Sequence, residues 1–112
     1  MALSNPDYSN LNYEEMAKEI GLKPKHIPLL LASFLEEADP VLLKLKTAAQ
    51  SNDYETIRAS AHFLKGSAGN LRFNDLYEMS REVELAAGEN NSRFEYVKYL
   101  EAMSAAVATI KI

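Results

Sequence analysis

The chain contains no cysteine and no tryptophan, and it has only four glycines and four prolines among 112 residues. Without cysteine there is no disulfide, no thiol nucleophile and no thiolate metal site, a composition that fits a reducing compartment. So few glycines and prolines argue against a loop-rich or disordered chain. The 12 basic residues form no cluster and are outnumbered by 16 acidic ones, giving a net charge of -4. We therefore do not expect nucleic acid as a partner.

Long apolar runs are also missing. No stretch approaches the roughly 20 apolar residues that cross a membrane, and the polar first ten residues do not resemble a secretory signal. These absences favour a cytoplasmic protein without a membrane partner. A length of 112 residues suits one domain. We predict a single domain over residues 1–112, with a poorly ordered N-terminal segment at residues 1–10.

Apolar residues recur at spacings of three and four in four long segments, which is the pattern of amphipathic helices. These segments begin near Pro24, Tyr54, Asn74 and Ser92. A shorter helix is predicted over 12–20, because Asn12 and Glu15 resemble a capping pair and a glycine follows at position 21. No segment has the alternation of a strand. The sequence predicts an all-α fold, an antiparallel up-and-down four-helix bundle with an additional short N-terminal helix.

Two details of these helices depend on local phase. Pro40 lies inside the first long segment, where it either kinks one helix or begins a second one. The apolar stripe keeps its phase across Pro40, which favours the kink. In the last segment, Phe94, Val97 and Leu100 are expected to face the core. Asn74 is expected to cap the preceding helix, and Gly88 to end it.

The most informative stretch runs from His62 to Leu71 and reads HFLKGSAGNL. It lies within a predicted helix, where Gly66 and Gly69 together cost roughly 2 kcal/mol relative to alanine. At about 100° per residue, the buried stripe of this helix leaves an opposite face open to a partner. The residues predicted for this docking face are Arg58, Ala59, His62, Gly66 and Gly69.

An exposed histidine on such a face can take part in phosphoryl transfer. A neutral imidazole is a nucleophile that can accept a phosphoryl group, and Lys65, three residues after His62, would stabilise charge on the phosphoryl oxygens. The chain has no glycine-rich loop to hold a nucleotide, so it could carry a phosphoryl group without producing one. Spacing alone leaves two simpler readings open. His62 can be an ordinary surface residue, and the glycines can serve close helix packing.

The same stretch resembles the signature of histidine-containing phosphotransfer domains, in which His-x-x-Lys-Gly is followed by small residues and a Leu-Gly pair. The matching residues are His62, Lys65, Gly66, Ser67, Ala68 and Leu71. Similar offsets elsewhere extend the resemblance from about Leu22 to the C-terminus. Arg72 departs from the pattern, since it stands where the family has glycine, and it suggests a different cap or turn at the end of the helix.

The resemblance implies a phosphorelay intermediate, a monomer that takes a phosphoryl group from the aspartate of one receiver domain and passes it to another. His62 would be the phosphorylated residue, Lys65 would assist electrostatically, and Gly66 would leave room for the receiver. The partners would be response-regulator receiver domains and a hybrid sensor kinase. The domain would have no ATP site, no cofactor and no metal of its own, and magnesium would come with the receiver.

Two other classes of function compete with this reading. An adaptor with the same fold could bind a kinase or regulator without carrying phosphate, although it would have no use for His62, Lys65 and Gly66 together. A metal-dependent bundle enzyme would need Glu-x-x-His pairs, and neither His26 nor His62 is preceded by such a glutamate. His26 lies among lysines and a proline and is expected to be a surface residue.

Overall fold

A computed structural model describes residues 1–112, and all of its regular elements are helical. The helices are α1 (Tyr13–Ile20), α2 (Ile27–Gln50), α3 (Tyr54–Asn70), α4 (Asn74–Gly88) and α5 (Tyr96–Ala108), with a 3₁₀ turn at Pro24–His26 before α2. Helices α2 to α5 pack in sequence, and α5 closes the ring between α2 and α4. This is the predicted four-helix bundle. The short helix α1 lies against the start of α2.

The helices bury the faces that their apolar spacing predicts. Ile57, Ala61, Leu64 and Ala68 of α3 are each fully buried, and they share one core with the apolar faces of the other helices. Short turns connect these helices. None of the helices combines the length and apolar character needed to cross a membrane.

Helix α2 runs without interruption through Pro40. The prediction that Pro40 lies within one helix is therefore confirmed, the alternative of a second helix beginning at Pro40 is wrong, and the kink itself stays a prediction. Buried residues on both sides of the proline, Ala38 and Leu42, keep the same phase toward the core. Packing along this stripe offsets the hydrogen bond that proline cannot donate to Glu36.

The start of α5 differs from its prediction. The helix begins at Tyr96 rather than near Ser92, because the side chain of Asn91 accepts a hydrogen bond from the Arg93 N–H and forms a turn there. Val97 is exposed, contrary to prediction, because it lies beside the buried face of α5 rather than on it. Leu100 is buried as predicted, and Phe94, which precedes the helix, is half-buried. Tyr96 and Tyr99 enter the core instead.

The N-terminal segment lies against the bundle, where the sequence predicts poor order. The Ala2 N–H donates to Glu82 Oε1 at 2.8 Å, and the Tyr8 N–H donates to Thr109 Oγ1 at 2.8 Å. The Tyr8 ring stacks on Phe73 with centroids 4.2 Å apart. Apolar contact with Phe73 and side-chain acceptors on α4 and at the end of α5 thus hold a segment that has no regular structure of its own.

The beginning of α4 also depends on this segment. Asn74 is the first helical residue rather than the cap, and Phe73, at the cap position, has no side-chain oxygen to accept a bond. The Tyr8 hydroxyl accepts a long hydrogen bond, 3.4 Å, from the Leu76 N–H. A residue distant in sequence therefore takes the place of the predicted cap.

Three helices end in the same way, with one non-glycine residue in the left-handed region. These residues are Asn52 after α2, Arg72 after α3 and Asn90 after α4, with φ of 54°, 63° and 52°. After α3, the Arg72 N–H donates to the Gly69 carbonyl and the Phe73 N–H to the Ala68 carbonyl, which is the Schellman pattern. The expectation of a different cap at Arg72 is wrong, since arginine adopts the conformation that glycine favours. Gly88 is the last helical residue of α4, as predicted, and Asn90 is the left-handed residue that follows the helix.

The guanidinium of Arg72 donates to the Gly69 carbonyl at 2.9 Å. This bond gives the side chain a role that offsets part of the strain of its backbone.

We expect Arg72→Gly to be more stable than Arg72→Ala by about 1 kcal/mol, because both changes remove the guanidinium bond but only glycine relieves the left-handed strain. Urea denaturation of the two variants measures the difference. Equal midpoints with equal slopes would contradict the strained conformation.

Candidate functional site

Helices α3 and α4 run antiparallel and share the most extensive contact in the bundle. Three facing pairs follow one another in register along them. Arg58 lies opposite Gly88, His62 opposite Glu84, and Gly69 opposite Tyr77. This register decides which side chains of α4 surround the histidine.

The His62 imidazole is exposed, but a hydrogen bond holds it in one orientation. Its side chain is 67% exposed, while Nδ1 lies 2.7 Å from Glu84 Oε2. Position 62 is on the solvent-facing side of α3, and the stripe of Ile57, Ala61 and Leu64 on the other side holds the helix to the core. One ring nitrogen is therefore held by α4, and the ring remains open to a partner.

Glu84 contacts a second residue of α3. Its Oε1 lies 2.7 Å from Lys65 Nζ, so the two carboxylate oxygens bridge His62 and Lys65. The Glu84 side chain is only 17% exposed. Burial raises the pKa of this carboxyl group, but hydrogen bonds and charges from Lys65 and His62 outweigh burial and leave the pKa below its usual value. Glu84 is consequently ionised at neutral pH.

An ionised carboxylate can only accept hydrogen bonds, so Nδ1 of His62 must carry the proton in this contact. In the neutral ring the lone pair then resides on Nε2. Hydrogen bonding at one ring nitrogen thus fixes which nitrogen carries the proton and which keeps a free lone pair. The arrangement presents Nε2 on an exposed ring, without a general base having to remove a proton from it.

The glycines predicted for the docking face have different surroundings. A Cβ at Gly66 would meet no atom within 4 Å, so packing within the chain does not require glycine there. A Cβ at Gly69 would lie 3.3 Å from the Tyr77 ring. Close contact between α3 and α4 is therefore one reason for glycine at position 69, and the assignment of Gly69 to the docking face stays a prediction. The open space at Gly66 remains available to a partner.

The other two predicted docking residues lie toward different neighbours of α3. Arg58 extends its aliphatic stem over the α4 backbone at Gly88. Ala59 lies on the opposite side, where it lines a groove with Val41 and Lys44 of α2. Both residues are exposed.

Three residues at or beside this site are not distinguished by any pattern in the sequence. Glu84 is one of several glutamates on solvated helix faces, and only the register of α3 and α4 distinguishes it. Phe63, next to His62, is 40% exposed, and Leu85, next to Glu84, is 51% exposed. These apolar side chains adjoin the histidine and its carboxylate in sequence and give the surface an apolar component.

The second histidine has no comparable surroundings. His26 is exposed at the turn before α2 and takes part in no ion pair. No group of three or more His, Cys, Asp or Glu side chains is placed to hold a metal ion. Of the two histidines, only His62 lies in contact with a carboxylate.

Fold and site define a class of protein, a helical bundle that presents one oriented histidine on its surface. A family model of the Hpt domain matches residues 29–110. The chain belongs to this family, whose members take part in histidine phosphotransfer in two-component phosphorelays. No curated protein and no solved structure shows a significant match to the chain.

When the His62 ring is neutral, we expect nitrogen NMR to find its proton on Nδ1, because the Glu84 carboxylate accepts a hydrogen bond from that nitrogen. Glu84→Ala should lose this preference. Glu78→Ala is the matched control, since Glu78 is an exposed glutamate of α4 that pairs with Arg81 instead. An unchanged tautomer in Glu84→Ala would contradict the role of the carboxylate.

Proposed function

We propose that this protein is a phosphoryl carrier that takes a phosphoryl group from the aspartate of one receiver domain onto His62 and passes it to the aspartate of another. The observation that supports this proposal best is the contact between Glu84 and Nδ1 of His62, which leaves Nε2 on an exposed ring as the nucleophile. The sequence motif around His62 and membership of the Hpt family agree with it.

In the proposed step, the Nε2 lone pair attacks the phosphorus of the aspartyl phosphate. The bond from phosphorus to the aspartate oxygen breaks, and its electron pair stays on the departing carboxylate. The ring keeps its Nδ1 proton and becomes positively charged as the nitrogen–phosphorus bond forms. Glu84, 2.7 Å from Nδ1, offsets this charge. Attack by the second receiver's aspartate reverses these changes.

This chain would position the histidine and supply charge, and the receiver would supply the aspartate and magnesium. Lys65 holds Glu84 in place and keeps two of its three donors for phosphoryl oxygens. Gly66 leaves space for the receiver's active site. We propose that the receiver supplies magnesium and that the protein has no kinase activity of its own. Relay between receiver domains and a hybrid kinase would place this reaction in the cytoplasm.

Transfer to His62 is tested by incubation with magnesium and a receiver domain phosphorylated on its aspartate. We expect a label on the wild type that is labile to acid and stable to base, as a nitrogen–phosphorus bond should be. His62→Gln should abolish this label. His26→Gln is the matched control, since it changes the chain's only other histidine, which is also exposed.

Several cognate and non-cognate receivers should be tried, since transfer depends on docking. An unlabelled wild type in every case would contradict the carrier function and favour the adaptor. Label that persists in His62→Gln would contradict the choice of residue.

Lys65→Ala should slow transfer by about tenfold, because Glu84 loses one of its two partners and the phosphoryl oxygens lose a cation. The unfolding free energy should fall by less than about 1 kcal/mol, as expected for a partly exposed ion pair. Stopped-flow transfer and urea denaturation measure the two effects. Lys98→Ala is the control, since Lys98 of α5 pairs at 3.9 Å with Glu95, the residue before that helix. A variant that loses stability without slowing transfer would contradict the proposed role.

A further inference from the structure

Arg58 precedes His62 by one helical turn on α3, and residues four apart lie above one another on the same helix face. Side chains of a helix lean back toward its N-terminus. The His62 ring therefore leans over the turn that begins at Arg58. An arginine side chain is long enough to cover one helical turn of about 5.4 Å.

The stem of Arg58 lies toward α4, as the imidazole does. A Cβ at Gly88 would be 3.6 Å from Arg58 Cδ, and His62 contacts Glu84 one turn earlier on α4. Both side chains thus occupy the seam between α3 and α4. The absence of a side chain at Gly88 leaves the arginine stem room to lie across the α4 backbone.

The charge of Arg58 is not engaged. It takes part in none of the ion pairs of the structure, whereas Lys65 lies 2.7 Å from Glu84. The positive charge of Lys65 is offset by the carboxylate of Glu84, so Lys65 adds little net positive charge near Nε2. A dianionic group added to Nε2 needs a cation, and a guanidinium offers two parallel donors to such oxygens.

We propose that Arg58 binds the phosphoryl group on His62, its guanidinium turning from the seam to donate to the phosphoryl oxygens. This inference rests on the proposed function of His62. It assigns to Arg58 a contact with the carried group itself, beyond any contact with a docked receiver. Lys65 and Arg58 would then both reach the phosphoryl group, from opposite directions along α3, and Lys65 would also hold Glu84.

The test uses phosphoramidate as the phosphoryl donor, so that no receiver is needed. Phosphorus NMR follows the pKa of the phosphoryl group on the full chain. A nearby cation favours the dianion, so we expect Arg58→Gln to raise this pKa by about half a unit, the shift that one charge at roughly 5 Å in water produces. Arg58→Lys should retain part of the wild-type value. Circular dichroism confirms folding, which the exposed position of Arg58 should not affect.

Arg81→Gln is the matched control, since it removes the same charge from an exposed arginine of α4 that pairs with Glu78. It should change the phosphoryl pKa by less than half as much as Arg58→Gln. An unchanged pKa in Arg58→Gln, or an equal shift in both variants, would overturn the inference while leaving the carrier function intact. A wild type that accepts no phosphoryl group from phosphoramidate would contradict the carrier function and the inference with it.

Discussion

The bridge from Glu84 to His62 and Lys65 joins α3 and α4 at the point on which the chemistry depends. Each carboxylate oxygen lies 2.7 Å from a nitrogen of α3. One of these contacts fixes the proton on Nδ1, and the other holds the carboxylate itself. An exposed imidazole without such a partner would rotate and exchange its proton between two nitrogens. With the bridge, the same ring presents one defined nitrogen to a partner.

The fold supports this bridge by keeping α3 and α4 in a fixed register. Small residues allow the close approach, as at Gly69, where the Tyr77 ring leaves little room for a Cβ. The left-handed residue Arg72 ends α3 in a Schellman pattern and directs the chain back into α4. The N-terminal segment holds α4 from outside through Glu82 and the first turn. The position of one carboxylate thus depends on packing over the length of two helices.

Much of the architecture could be predicted because it follows from spacing. The stripe of Ile57, Ala61 and Leu64 gives the buried face of α3, and its phase places His62 on the exposed face. Predictions failed at the start of α5, which the turn at Asn91 delays, and at Val97, which lies beside the buried face of that helix rather than on it. The contacts of the N-terminal segment could not be predicted either, because contacts with distant residues such as Phe73 leave no periodic pattern in a sequence.

The sequence by itself determined the helical faces, the exposure of His62, and the motif that identifies the family, since all three depend on residues close together in the chain. Only the tertiary structure decided that Glu84, 22 residues after His62, would meet it, because this contact follows from the register of two helices. The same register separated Gly66, which has open space, from Gly69, which serves packing. The type of a side chain sets which chemistry it can perform, and the packing of the helices decides which side chains lie close enough to assist it.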